Sequence, residues 1–225
     1  MQIMANRCRI LGALMLLGGA LQLASPATQA ATVIPLAIYN VGAGGDATEF
    51  TGTLTLSVTS TEAIFTFANT SSITDEVRIG EIYFESGLDT YLTGPGTPTD
   101  VASPLVDYNT GATPADPPAN ALMPGGVWTS TFASFQPGTP TPNDRAVNPG
   151  ESLTITFGLD SPNNIAEAAL AAFLLEKPNR IALHINACTA NGTSCEASAV
   201  PVPAAAWLLG SALPLLALIR RSKAA

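Results

Sequence analysis

The sequence predicts an all-β fold, an antiparallel β-sandwich for which jelly-roll connections are one option. Three observations predict it. Short segments rich in Thr, Val, Ile and Phe recur between residues 33 and 187, several of them alternate strictly between polar and apolar positions, and only one interior segment carries a helical pattern. Strands of that kind bury one face each, so two sheets packed against one another are the expected solution.

At the amino end, Arg7 and Arg9 precede an apolar run from Ile10 to Leu23, and small residues follow at Thr28-Gln29-Ala30-Ala31. This is the pattern of a secretory signal peptide over residues 1–30, cut between Ala30 and Ala31. The run is 14 residues long, short of the roughly 20 that span a bilayer comfortably. Cys8 lacks the small-residue box of lipoprotein processing, since Ala5-Asn6-Arg7 stand before it.

The strand signals follow in order: VIPLAIYNV at 33–41, FTGTLTLSVTS at 50–60, EAIFTFAN at 62–69 and EVRIGEIYFE at 76–85, then GVWTSTFASF, ESLTITFGL and RIALHINA. In the second, Leu54, Leu56 and Val58 oppose Thr53, Thr55 and Ser57, the period of a half-buried strand. Between them the texture changes. Eleven of the 18 prolines fall from Pro95 to Pro149, so 86–125 and 136–149 are expected to be extended loops, of a length that is either functional or poorly ordered. Tyr91, Tyr108 and Trp128 are candidate rings for a sugar there, with Asp89, Asp100, Asp107 and Asp116 as polar or calcium-binding neighbours. The bland alternative is that the rings pack the loops down and the acids are solvated. No ladder of acids at calcium-loop spacing accompanies them.

One helix is expected near residues 164–176. Asn164 is placed to cap it, Glu167 stands at the capping-box position and Pro178 closes it. Its apolar positions, Ile165, Ala169 and Phe173 with Leu170 and Leu174, are wide enough to lie across an open end of the sandwich.

Loss of residues 1–30 removes Cys8 and leaves Cys188 and Cys195 in a compartment that permits disulfides. The eight-residue segment CTANGTSC centres on Asn191-Gly192, the favoured pair of a type I′ hairpin, which sets Cys188 directly across from Cys195. A structural cross-strand disulfide is expected.

Chemistry is argued mainly by what is missing. His184 is the only histidine; on its strand it shares a face with Ala182 and Asn186, as a cross-strand neighbour would. No Gly-x-Ser-x-Gly elbow accompanies it, and neither phosphate loop nor dinucleotide fingerprint is present. Glu81 with Glu85, or Asp75 with Glu76, is a nominal glycosidase pair of a kind that any acidic β-protein offers. The expectation is a non-enzyme with no cofactor and no metal. Between residues 31 and 200 there are four Lys or Arg against all 17 acids, a balance of −13. Such a domain repels nucleic acid and anionic surfaces. Its length, about 170 residues, suits one domain spanning 31–199.

The carboxyl end, 200–225, combines Pro201-Val202-Pro203, the apolar run AAAWLLGSALPLLALI at 204–219, with Trp207, Gly210 and Ser211 inside it, and a basic tip at Arg220, Arg221 and Lys223. This order resembles the PEP-CTERM class of tripartite sorting signals, in the variant written VPLPAAAWL. Val202 replaces the Glu of the eponymous form, and Pro214 interrupts the run with a kink. The resemblance implies cleavage by an exosortase-type membrane protease and delivery to the cell surface or an extracellular matrix, with exopolysaccharide as a further partner; it implies no reaction. Independently, 16 residues make a helix of about 24 Å, enough for a transient inner-membrane span. The basic tip keeps its end cytoplasmic. The alternative reading is a carbohydrate-binding module that uses loops 89–128.

Overall fold

The structure is a computed structural model that describes residues 31–41, 50–72, 77–100, 105–118, 128–139, 142–160, 167–177, 180–188 and 192–199. The signal segment with Ala30, the helix cap at Asn164 and the whole carboxyl-terminal motif lie outside them. Among the described residues no helix is long and apolar enough to cross a membrane.

Ten strands form one antiparallel sheet: β1 (Thr32–Val41), β2 (Gly52–Val58), β3 (Glu62–Asn69), β4 (Arg78–Glu85), β5 (Leu92–Asp100), β6 (Tyr108–Thr110), β7 (Thr131–Pro137), β8 (Ser152–Leu159), β9 (Ile181–Asn186) and β10 (Cys195–Ala199). Their spatial order is β5-β8-β3-β2-β1-β10-β9-β4-β7-β6. The sheet curls on itself, because every strand has one apolar side to hide. Phe65 and Phe67 of β3 and Phe157 of β8 meet Phe84 of β4 edge to face, with centroids 4.9–6.1 Å apart. Phe135 of β7 joins them. That spacing suits the ring quadrupoles and fuses the two halves into one core. The result is the expected antiparallel sandwich, made from one continuous ladder rather than two separate sheets. Of the nested pairings of a jelly roll, β1 with β10, β3 with β8 and β4 with β7 are present. No ladder joins β5 to β6 or β2 to β9 among the described residues.

Alternation sets the register. In β2 the pattern predicted for Leu54, Leu56 and Val58 holds, with all three buried and the Thr and Ser between them half-buried. Two strands were not legible as strands, β5 and β6, and β10 was implied only as the return arm of the cysteine hairpin. β5 corrects the expectation of an open loop from 86 to 125. It carries Pro95 and Pro98, which a strand tolerates at a sheet edge because one row of its N–H groups has no neighbour to serve. Gly94 and Gly96, at φ 78° and 76°, form an irregularity between Thr93 and Thr97. A side chain at Gly96 would meet the Phe157 ring at 2.6 Å, so glycine there lets the edge strand close onto the core. Within 136–149 the chain likewise forms a short helix, α1 (Pro142–Arg145).

A second helix, α2 (Glu167–Glu176), stands where one was expected. It buries Leu170, Ala171 and Leu174 in the core and keeps Phe173 partly buried. Arg180, just after it, is fixed three ways: Nε donates to the Phe173 carbonyl at 2.9 Å, the guanidinium lies 3.5 Å over the Phe173 ring, and Nη1 pairs with buried Glu85 at 3.2 Å. The helix is thereby tied to the end of β4.

β1 and β10 lie side by side in the middle of the ladder, with Leu36 opposite Ala199 and Val41 opposite Cys195.

Candidate functional site

The rings expected to bind a sugar are not brought together. Tyr91 stands edge-on to Phe173 of α2, centroids 4.6 Å apart. Tyr108 is buried beneath β4, where its hydroxyl donates to the Ile79 carbonyl, and burial pushes its pKa far above the ordinary phenol value. Trp128 is buried against Tyr83, Ala112 and Ala182, its indole N–H donating to Thr131 Oγ1 at 3.2 Å. Neither Tyr108 nor Trp128 offers a face to a ligand; apolar rings were claimed by packing. Of the acids, Asp107 pairs with Arg145, and Asp116 accepts a hydrogen bond from Thr131 at 2.6 Å. Among the described residues no three His, Cys, Asp or Glu gather as a metal group.

The cysteines are bonded, and both are fully buried. Their placement corrects the hairpin register. Cys195 lies opposite Ile185, not Cys188. β9 ends at Asn186, and Ala187 turns the chain with φ 54°. Cys188 thus stands off the ladder, donating its N–H to the Thr193 carbonyl at 2.9 Å, with a Cα separation of 6.0 Å to Cys195. That distance remains within disulfide reach.

Chemistry-bearing residues gather elsewhere, on the outer face of the half-sheet β1-β10-β9-β4. Register sets four polar side chains in a row: Asn40 opposite Glu196, Glu196 opposite His184, His184 opposite Glu81. Two irregularities build this row. β1 shifts register between Ile38 and Asn40, and β4 between Ile79 and Glu81. An inserted residue re-aims the next side chain, a habit of strands beside sites. In β4 the inserted residue is Gly80; a side chain there would stand 2.5 Å from Asn186 Nδ2.

Asn40 Nδ2 donates to Glu196 Oε2 at 2.6 Å, and Glu196 Oε1 lies 3.2 Å from His184 Nδ1. Burial pulls the His184 pKa down, but the hydrogen bond and charge of Glu196, the charge of Glu81 and a bond to Asn186 outweigh it, so the net shift is upward. Glu81 is also raised: burial disfavours its charge by more than His184 restores. Beside the row, Tyr83, Ala182 and Ser198 occupy the next cross-strand positions. Residues 111–118 cover Tyr83, whose hydroxyl donates to the Pro114 carbonyl at 3.3 Å. The loop is held by Ala112 N–H on Ser134 Oγ at 2.9 Å and Thr113 N–H on Gln136 Oε1 at 3.1 Å.

Three buried side-chain atoms among the described residues lack a partner: Tyr39 Oη, Glu81 Oε2 and Ser198 Oγ. All three belong to this face. Sequence reasoning placed His184 correctly as a cross-strand neighbour but gave it no partners, because the row depends on bulges and on β10. Glu85, the other half of the nominal carboxylate pair, is neutralised by Arg180 and takes no part in the row.

Comparison with protein-family models, with curated proteins and with solved structures gives no match to this chain.

Proposed function

We propose that this chain is an exported, non-enzymatic surface or matrix protein, delivered through its carboxyl-terminal segment and released by an exosortase-type membrane protease. One observation carries the reading: the order of Pro201-Val202-Pro203, the apolar run at 204–219 and the basic Arg220-Arg221 within 26 residues. The run is long enough for a brief span and short for a permanent one. Prolines ahead of it keep the backbone extended, the form a protease takes up.

One feature of the body supports the reading. The disulfide between Cys188 and Cys195 suits an oxidising compartment.

The test is the mass of the mature protein from a bacterium that carries an exosortase-type protease. A chain beginning near Ala31 and truncated near Pro203 is expected, with the full carboxyl terminus retained when the protease gene is deleted. Surface-located protein still ending at Ala225 would overturn the proposal.

A further inference from the structure

We propose that the outer face of β1, β10, β9 and β4, centred on Tyr39, Glu81 and Ser198 beside the His184–Glu196 pair, is a binding site for a ligand that presents a primary ammonium group. The geometry argues for a ligand first. Buried polar groups in folded proteins nearly always have partners, and each exception calls for an explanation. Here the three exceptions fall on one face of four neighbouring strands, Tyr39 at the irregularity of β1, Ser198 on β10 and Glu81 on β4. Ser198 is fully buried yet its hydroxyl has no partner. By strand alternation it shares the side of β10 that carries Glu196.

The patch is continuous. Tyr39 feels the charge of Glu196 and the hydroxyl of Tyr83, and Tyr83 in turn feels both Glu81 and Glu196. It also reaches solvent: Tyr39, Asn40, Glu81 and His184 are each partly exposed.

Charge and hydrogen-bond type select the ligand. Two carboxylates face one histidine, so with both ionised the patch stays negative even when His184 is protonated. The domain around it is strongly acidic. An anion is therefore repelled. Of the three atoms, the two hydroxyls can donate as well as accept, whereas the ionised carboxylate oxygen of Glu81 only accepts, so the partner that Glu81 lacks is a donor. A neutral hydroxyl donates one hydrogen and leaves the Glu81 charge unbalanced. An ammonium donates three and balances it, as a charge-assisted bond. The partly exposed Tyr39 ring adds a surface that attracts cations.

Primary ammonium groups are carried by linear diamines and by amino sugars, and the test separates the two. Full-length protein is titrated at low salt, by calorimetry, with 1,5-diaminopentane and with glucosamine; 1,5-pentanediol and glucose are the neutral counterparts. At least one amine is expected to bind, and its neutral counterpart is not. E81Q is expected to weaken the amine about tenfold or more, the equivalent of one charge-assisted hydrogen bond. Y39F, which keeps the ring, is expected to weaken it by less. Thermal melts of both variants establish that they are folded. The proposal is overturned if neither amine binds, if the diol or glucose binds as well as its amine, or if folded E81Q binds the amine unchanged.

Discussion

Glu81 stands opposite His184 because β4 carries one residue more than β9 on the way from Ile79 to Glu81, while Ile79 itself faces Ile185. That extra residue is Gly80, and the position accepts little else. An Ala there brings a methyl within 2.5 Å of Asn186 Nδ2 and 3.3 Å of the His184 carbonyl. G80A is expected to lose about 1–3 kcal/mol of stability in urea titrations, the usual cost of overpacking. G80A with N186S is expected to recover much of it, since the obstructing side chain is then smaller. Two losses that simply add would refute the steric account.

Stability is expected to fall as pH rises from about 5 to about 8. His184 has a folded pKa above its ordinary 6.5, so its contribution is complete below that value and is lost as pH climbs through the folded value. Glu81, raised from 4.5, acts in the same direction: above 4.5 the unfolded chain ionises more readily than the folded one. Denaturant midpoints across this window should decline. H184Q and E81Q should each flatten the slope, and a slope unchanged in both would refute the assignment.

Arg180 and Glu85 form a buried pair at 3.2 Å, with Thr129 Oγ1 also donating to Glu85 at 3.1 Å. R180A leaves a carboxylate buried without its cation and is expected to cost about 3–5 kcal/mol. The double change R180M/E85Q removes both charges and should cost clearly less. Equal losses in the two variants would show that packing on Phe173, rather than charge, sets the effect.

The Cys188–Cys195 disulfide closes a short loop, with a sequence separation of 7. C188A/C195A is expected to lower stability by about 2 kcal/mol, the small end of the range for such bonds. Reductant should lower the wild type by a similar amount and leave the double variant unaffected. Midpoints are measured with and without reductant.

Sequence pattern revealed the strands whose two faces differ. β2, β3 and β8 alternate so regularly that their buried residues are readable by eye, and α2 declares itself by its leucines. β5 was hidden because its prolines and glycines are loop residues everywhere except at a sheet edge or a bulge. β10 showed only through the cysteine hairpin, for a different reason: all five of its residues, CEASA, are buried, so no alternation is available to read. The polar row was unreadable for another cause. Asn40, Glu81, His184 and Glu196 lie on four strands, and two inserted residues decide that they align. Tyr108 and Trp128 were legible as large rings in a polar stretch, but sequence does not distinguish a ring that stacks on a sugar from one that anchors a loop.

The pairing of β1 with β10 has a mechanical consequence. Because the strands are antiparallel and Leu36 faces Ala199, the chain enters at Thr32 and leaves at Ala199 from one pole of the ladder. Glu196 lies three residues back along β10, about 10 Å from that exit. A tether at Ala199 would therefore grip the body at one pole, with the Glu196–His184 row set back toward the other. Under the proposed function, a cut beyond Ala199 would leave that row untouched.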